Sequence, residues 1–392
     1  MPQSELKLID HKFLLETCDL DQNSNDSYKQ KNIISAHKAL KKFYSFKQLQ
    51  DFLINNPKIL KLKNAGFASY ISYDKDVEIV LYEEIHKINL DETCKQENFL
   101  INRNYQNEIF NKERFIASVN KCKSYIEEGE IYQANISEKI TISKNLLSSK
   151  DLKTIYRNLK STNPSPYMTF IDFENYAIIS SSPESFLKIK KENEEFTVES
   201  SPIKGTAKLN EEDILECSEK EKAEHLMIVD LIRNDIGKIS KTSSVKVTEL
   251  MKKYKFKDLF HLISTIQGKI NNEHLLKIKD FEIPNFERIF SYCFPGGSIT
   301  GTPKKRAMEI IDEIESVSRG IYTGSAGYYK FNEGGEFNIL IRTLVYDKLT
   351  HELSLHSGAG ITSGSDPEKE FKEIQLKAKN ILSALNFGLE RV

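Results

Sequence analysis

Four glutamates in two pairs are the residues whose type and spacing most directly suggest chemistry. Glu221 and Glu224 are three residues apart in one predicted helix, and Glu370 and Glu373 are three apart in another. Because residues at i and i+3 share a helix face, each pair concentrates negative charge that repels itself unless a cation compensates. Mg²⁺ takes carboxylate oxygens from more than one element. The spacing therefore indicates either a magnesium site or two solvated acidic helix faces.

Three further charged side chains leave similar alternatives open. Lys377 follows Glu373 by four residues, so it could hold a substrate carboxylate beside a metal or simply pair with Glu373. Lys204, in the segment Pro202–Thr206, is either a positioned amine nucleophile or an ordinary turn lysine. Glu184 follows a predicted strand, where a carboxyl is either a general acid or a turn residue.

An arginine and a histidine complete the candidates taken from residue type alone. Arg342 falls inside the apolar run Ile339–Val345, where a charge requires a partner or an anionic ligand, so we interpret it as functional. His261 lies on a predicted amphipathic stretch, where a histidine is more often a satisfied core residue than a catalyst.

Two loops carry weaker signals. The glycine-rich segment Phe294–Pro303 lacks the lysine of a phosphate-binding loop but leads into a helix N-terminus, which indicates either an anion site or a structural turn. Arg233 stands between Asp230 and Asp235 at a helix end, a pattern typical of a structural salt-bridge network.

The elements that must position these residues are hairpins mixed with separate helices. Tyr167–Phe173 with Tyr176–Ser181, and Phe337–Tyr346 with Leu353–His356, predict two β-hairpins. Helices are predicted over Lys220–Ile236, from Thr302–Pro303 to Glu315, and from Asp366–Pro367 to Leu385. This order favours an α+β fold on antiparallel sheet rather than βαβ alternation.

Composition sets the outer limits. The 392 residues carry 56 Lys+Arg against 57 Asp+Glu, so the basic excess typical of a nucleic-acid binder is absent. No apolar run approaches the roughly 18–20 residues that span a bilayer, and the N-terminus does not resemble a secretory signal. The five cysteines are scattered, which favours reduced thiols. We expect a cytoplasmic protein with neither nucleic acid nor membrane as a partner.

The order of the motifs is more specific than any one of them. In sequence they resemble the signature blocks of the chorismate-binding enzymes, a family that includes anthranilate, aminodeoxychorismate, isochorismate and salicylate synthases. The resemblance covers roughly residues 113–388. Its blocks are Ile131–Asn135, Ser182–Phe186, Pro202–Thr206, Glu224–Asp235, Phe294–Ser298, Pro303–Glu309, Arg319–Tyr322, Gly358–Gly360 and Ser365–Glu370.

The resemblance implies a fold and a domain organisation. The fold is α+β, with two stacked antiparallel β-sheets and helices packed outside. Residues 1–110 would be a shortened N-terminal region contributing to the sandwich, and residues 111–392 the chorismate-binding catalytic domain. The region before Ile131 is shorter than is usual in the family, which puts any tryptophan site there in doubt.

The resemblance also implies roles for the site residues. Glu224 and Glu373 would bind Mg²⁺ directly, with Glu221 and Glu370 in support. The metal would hold the ring carboxylate of chorismate. Arg342 and Tyr322, with the backbone near Gly358 and Gly360, would bind the enolpyruvyl carboxylate. Lys377 would lie near the metal-bound carboxylate. The ring would be lined by Thr206, Thr300 and His261.

Two positions favour one reaction within the family. Lys204 matches a lysine typical of the aminodeoxychorismate-forming members, and Gln133 stands where water-using members carry a lysine base. The implied reaction forms 4-amino-4-deoxychorismate, with Lys204 as nucleophile and Glu184 as acid. Without a glutaminase nucleophile loop in this sequence, ammonia would come from a separate glutamine amidotransferase subunit. Anthranilate synthesis, or a non-catalytic partner subunit of the same fold, are the alternatives.

Overall fold

The computed structural model describes residues 13–19, 30–90, 110–143, 147–192, 195–208, 219–256 and 259–385. Seven α-helices fall within these ranges, α1 to α7 in chain order. Their bounds are Phe46–Asn55, Lys112–Glu127, Ser149–Thr162, Glu219–Ile239, Phe286–Cys293, Lys304–Ile314 and Pro367–Leu382.

The strands of the same ranges are numbered β1 to β19. The first ten are Phe13–Asp19, Gln30–Phe43, Gly66–Ile71, Val77–Leu90, Gln133–Ser143, Tyr167–Asp172, Tyr176–Ser182, Ser185–Glu192, Glu195–Ser200 and Ile203–Lys208. The remaining nine are Lys246–Phe256, Leu259–Lys269, Leu275–Ile278, Phe281–Pro284, Gly301–Thr302, Ser325–Lys330, Gly334–Ile339, Thr343–Asp347 and Glu352–Ile361.

All pairings between these strands are antiparallel, and β13 with β14 forms a small separate ribbon. The other seventeen strands form one hydrogen-bonded network. Its order is β15-β5-β19-β18-β7-β6-β1-β2-β4-β3-β16-β17-β8-β9-β12-β11, with β10 also pairing with β12. The long strand β2, between β1 and β4, joins the two halves of this network.

Three hydrophobic clusters show that the two halves stack face to face. Successive side chains of a strand point to opposite faces. On β3, Ala68 and Tyr70 enter a cluster built almost entirely from strands, whereas Phe67 and Ile71 enter a second cluster with α1, α4 and α5. A third cluster packs α2, α3, α6 and α7 on the outer face of the other half. The predicted α+β sandwich with helices outside is therefore confirmed.

The predicted elements are largely present, with informative differences. The hairpin β6–β7 and the helices α6 and α7 lie where the sequence predicts them. Helix α4 continues through Gly237 to Ile239, so that glycine does not end it. The predicted strand Phe337–Tyr346 is wrong as one strand, because it breaks between Ile339 and Thr343 into β17 and β18, and only β18 pairs with β19.

Within the described ranges, no helix is long and apolar enough to cross a membrane.

Candidate active site

A cavity of about 660 Å³ brings together most of the residues that the sequence singled out. It lies between strand ends of the sandwich and the helices α4 and α7. The predicted site residues among its lining are Glu184, Lys204, Glu224, His261, Tyr322, Arg342, Gly358, Gly360, Glu370, Glu373 and Lys377. This volume is ample for a small organic molecule.

Lys204 enters the cavity from a bulge in β10. The register between β10 and β12 shifts between Lys204 and Thr206, and Gly205 between them has φ of 71°. A glycine in this left-handed conformation is what one class of β-bulge requires, and such bulges redirect side chains beside active sites. The sequence predicted a tight turn here, which is wrong: the segment continues a strand, and the glycine bends it.

The side chains of Gln133 and Lys204 both approach Gly360, although Gln133 is not part of the cavity lining. A Cβ placed on Gly360 would lie 2.8 Å from Gln133 Nε2 and 3.8 Å from Lys204 Nζ. The absence of a side chain at Gly360 therefore leaves room for both groups. Gln133 is itself buried, and its side-chain amide neither gains nor loses a proton near neutral pH, so it cannot act as a base.

Glu184 is only 7% exposed, at the cavity wall directly before β8. Burial raises the pKa of its carboxyl above the ordinary value, although a hydrogen bond with Ser298 and the charges of Lys204, Arg342 and Lys377 act in the opposite direction. Burial disfavours the charged form of a carboxyl. Glu184 is therefore a candidate general acid, with Lys204, Arg342 and Lys377 near its carboxyl.

Arg342 lies at the break between β17 and β18, with φ of 52°. This left-handed backbone removes Arg342 from the sheet and explains why the apolar run around it does not continue as one strand. Burial lowers the pKa of its guanidinium, and Glu184 opposes that shift. Burial together with the charge of Arg342 lowers the pKa of His261 to about 4, so His261 is neutral near pH 7.

Tyr322 and Gly358 form another part of the wall. A Cβ on Gly358 would lie 2.8 Å from each of Asn135 Oδ1, Ile136 O and Tyr322 Oη, so only glycine fits. The Gly358 carbonyl accepts a hydrogen bond from Lys377 Nζ at 3.0 Å. Burial raises the pKa of the Tyr322 phenol, which therefore stays protonated.

Glutamates of α4 and α7 lie around this cavity, and one of them forms an ion pair within its own helix. Glu224, Glu370 and Glu373 all line it. Glu373 Oε1 lies 2.6 Å from Lys377 Nζ, the local ion pair that was the alternative explanation of this spacing. Among the described residues, no group of three or more His, Cys, Asp or Glu is close enough together to hold a metal ion.

Three predicted positions lie elsewhere or outside the described side chains. The Thr300 hydroxyl donates to the carbonyl of Gly296 at 3.0 Å, and this buried residue is not part of the cavity lining. The side chains of Thr206 and Glu221 lie outside the described residues.

Two buried histidines were missed by the sequence interpretation. His356 lines the cavity and stacks on Tyr322 with ring centroids 5.0 Å apart, and burial lowers its pKa to about 3. His225 Nε2 lies 2.6 Å from Ser264 Oγ, and burial, assisted by the charge of Lys204, lowers its pKa to about 4. His225 shares a helix face with the apolar Val229 and Ile232, a spacing that could have predicted its burial.

Comparison with known proteins decides the family. A family model described as "chorismate binding enzyme" matches residues 25–383. The chain belongs to the chorismate-binding enzymes. The predicted resemblance is therefore confirmed.

Relatives of two named activities are similarly close to this chorismate-binding enzyme. Over 290 residues it is 38% identical to anthranilate synthase component 1 of Aquifex aeolicus, covering 72% of this chain and 54% of the relative. Over 289 residues it is 39% identical to aminodeoxychorismate synthase component 1 of Bacillus subtilis, covering 72% of this chain and 57% of the relative. The chain thus spans about half the length of these curated relatives.

A solved structure supports the fold along most of this chorismate-binding enzyme. The crystal structure of anthranilate synthase component I from Streptococcus pneumoniae superposes with a TM-score of 0.68 at 26% identity. The match covers 89% of this chain and 92% of that one.

The donor chemistry of this chorismate-binding enzyme fits the Mg²⁺ that its family implies. Glu224, Glu370 and Glu373 offer only carboxylate oxygens, which are the ligands that Mg²⁺ prefers. They come from two different helices facing one cavity. When the ion is bound, the Glu373 carboxylate would either leave Lys377 and coordinate the metal or contact both cations.

Proposed function

We propose that this chain is an aminodeoxychorismate synthase component I, which forms 4-amino-4-deoxychorismate from chorismate and ammonia. It would catalyse the first step towards para-aminobenzoate and folate. The support comes from the family, from relatives bearing that name, and from the residues around the cavity.

The observation that carries the proposal is the position of Lys204. It lines the cavity beside a glycine bulge, near Gly360, which Gln133 also approaches, and it shares the cavity with the buried acid Glu184. An amine attacks only in its neutral form, through the nitrogen lone pair. Gln133 cannot act as the base that a water nucleophile needs, so ammonia is the better-matched nucleophile.

The cavity offers cations for the two carboxylates of chorismate. Arg342 and the phenol of Tyr322 would bind the enolpyruvyl carboxylate, since a guanidinium and a hydroxyl both donate hydrogen bonds to it. Lys377 would lie beside the ring carboxylate. Mg²⁺ held by Glu224 and Glu373, with Glu221 and Glu370 in support, would neutralise that carboxylate and draw electron density from the ring.

The chemical steps then use groups of this chain. Lys204 Nζ attacks C2 of chorismate, both ring double bonds shift, and the C4–O bond breaks as Glu184 protonates the departing hydroxyl to give water. Ammonia next forms the C4–N bond, both double bonds shift back, and the bond between C2 and Lys204 breaks, which returns the electron pair to Nζ. Glu184 takes up the proton that ammonia loses. The covalent step divides one difficult substitution into two easier ones.

Ammonia would be delivered by a separate glutamine amidotransferase subunit. Ammonium at high concentration should replace that subunit in a purified reaction, because ammonia itself is the nucleophile that reacts with chorismate.

The experiment is product identification by liquid chromatography and mass spectrometry. The purified chain is incubated with chorismate, MgCl₂ and ammonium chloride, with an EDTA arm. We expect 4-amino-4-deoxychorismate, which keeps the enolpyruvyl group, and no product after EDTA.

Other outcomes would change the assignment. Anthranilate, which lacks the enolpyruvyl group, would instead support anthranilate synthesis as the function. This is the second candidate because relatives of that name are about equally identical to the chain. If there is no product with ammonium, and none with glutamine and an amidotransferase subunit, the chain would be a non-catalytic partner.

A further inference from the structure

Two side chains lie against the ring of Tyr322 in the wall of the large cavity. The imidazole of His356 stacks on it, with ring centroids 5.0 Å apart and ring planes inclined by only 16°. The guanidinium carbon of Arg319 lies 5.9 Å from the centroid of the same phenol ring. A tyrosine side chain turns about two bonds, so the groups packed on its ring decide where its hydroxyl lies.

His356 reaches Tyr322 from strand β19. His356, Gly358 and Gly360 alternate along this strand, so they share one of its faces. All three residues line the large cavity. A Cβ on Gly358 would lie 2.8 Å from Tyr322 Oη, so the glycine leaves the space into which the hydroxyl extends. Across these three positions, His356 is therefore the one residue that places a side chain on this face.

The burial of a histidine at this position carries a cost. His356 is only 7% exposed, and its Nδ1 has no hydrogen-bond partner within the described residues. A buried polar atom without a partner costs free energy, which an apolar side chain of similar volume would avoid. Burial, together with the charges of Lys139 and Arg319, lowers the pKa of His356 to about 3, so its ring is neutral near pH 7. What a planar, neutral ring adds here, and a branched aliphatic side chain would not, is the stack on Tyr322.

We propose that His356 is a positioning residue that holds the Tyr322 hydroxyl in the direction of the enolpyruvyl carboxylate of chorismate. This inference rests on the proposed function, in which Tyr322 and Arg342 bind that carboxylate. His356 acts through Tyr322 and takes no part in the chemical steps. Its loss should therefore weaken the binding of chorismate and leave kcat unchanged.

The test measures the Kd for chorismate by isothermal titration calorimetry, with Mg²⁺ present and without ammonium. His356→Leu removes the planar ring, whereas His356→Phe keeps one. We expect Kd to rise about three- to ten-fold in the leucine variant and less than about two-fold in the phenylalanine variant. His351→Leu is the matched control, because His351 also stacks on a tyrosine, Tyr346, and neither residue lines the cavity. This control should bind chorismate like wild type.

A double-mutant cycle separates positioning of the hydroxyl from packing alone. Tyr322→Phe removes the hydroxyl but keeps the ring. In that background His356→Leu should change Kd less than about two-fold, because no hydroxyl is left to position. The same fold-increase in both backgrounds, or an unchanged Kd in folded His356→Leu, would overturn the role. His356→Asn, which also removes the aromatic ring, takes the place of the leucine variant if that variant does not fold. Failure of both variants to fold would make His356 a structural residue and would equally contradict the proposal.

A failure of the proposed function gives a different result. If Tyr322→Phe binds chorismate as tightly as wild type, the hydroxyl does not bind the carboxylate, and the proposed substrate contact fails together with the inference. If Tyr322→Phe weakens binding and the cycle shows no coupling, only the role of His356 fails. The identity of the product does not affect the test, because chorismate is the substrate of both candidate reactions.

Discussion

The two walls of the large cavity differ in how their charges are held. On the strand side, Glu184 is 7% exposed and its pKa is raised, because burial outweighs three nearby cations. On the helix side, the side chains of Glu373 and Lys377 are 50% and 38% exposed, and they pair with each other across one helical turn. The strand wall is thus tuned by burial, whereas the helix wall is screened by solvent and can rearrange.

This difference suggests that the two walls have different roles in the reaction. Groups that exchange protons require fixed, desolvated surroundings, which the strand side provides. Groups that bind and release a metal with its substrate require access and exchangeable partners, which the helix side provides. Each prediction below perturbs one wall and asks whether the other is unaffected.

The largest effect is expected for Glu184→Gln on the strand wall. Removing the acid should lower kcat about 10²–10⁴-fold while KM for chorismate changes little, since acid assistance acts in the transition state. Steady-state kinetics measures the split. Glu336→Gln, at another buried glutamate that pairs with Lys188 outside the cavity, is the control. Equal losses of kcat in the two variants would indicate that Glu184 has only a structural role.

Arg342→Gln should mainly weaken substrate binding. Loss of a charged hydrogen bond to a carboxylate predicts an increase of about 10- to 100-fold in KM for chorismate. Arg306→Gln, at a surface arginine on α6 that pairs with Glu130, should leave KM unchanged. An unaltered KM in Arg342→Gln would remove this arginine from the binding site.

On the helix wall, Glu373→Gln should raise the Mg²⁺ concentration for half-maximal activity about ten-fold or more. Glu368→Gln changes an exposed glutamate of the same helix, paired with Lys112, and should have no effect. Activity titrated against MgCl₂ gives both values. The same Mg²⁺ requirement in all three proteins would contradict a metal at this wall.

The smallest effect concerns stability. His356 has a folded-state pKa of about 3 against an ordinary value of 6.5. Between these two pKa values the imidazole is protonated in the unfolded chain and neutral in the folded chain. The free energy of unfolding therefore falls as the pH drops from 6.5 towards 3. For one such histidine the loss at pH 5 is about 2 kcal/mol.

His356→Phe keeps an aromatic ring against Tyr322 but cannot bind a proton. Urea unfolding at pH 7.5 and pH 5 should show a smaller loss of stability in this variant than in wild type. Identical losses would mean that His356 does not titrate between the folded and unfolded states as described.

Much of this organisation could be predicted because local chemistry and global fold agree. The caps of α7 and the alternation of β6 and β7 are local signals, and the order of motifs identifies a family. Arg342 was singled out as functional because it interrupts an apolar run, but the sequence predicted one strand there, and the left-handed backbone that breaks this strand could not be foreseen.

Other features depend on tertiary structure and could not be predicted. The bulge at Gly205 is visible only once β12 is beside β10. The stacking of His356 on Tyr322 joins residues of different elements.

The most direct test of the central claim is product analysis of Lys204→Ala beside Lys190→Ala, a lysine of β8 that pairs with Glu199 away from the cavity. With chorismate, Mg²⁺ and ammonium, wild type and Lys190→Ala should form 4-amino-4-deoxychorismate. Lys204→Ala should lose at least about 10³-fold of that activity while remaining folded by circular dichroism. Undiminished formation of the same product by Lys204→Ala would contradict a covalent role for this lysine.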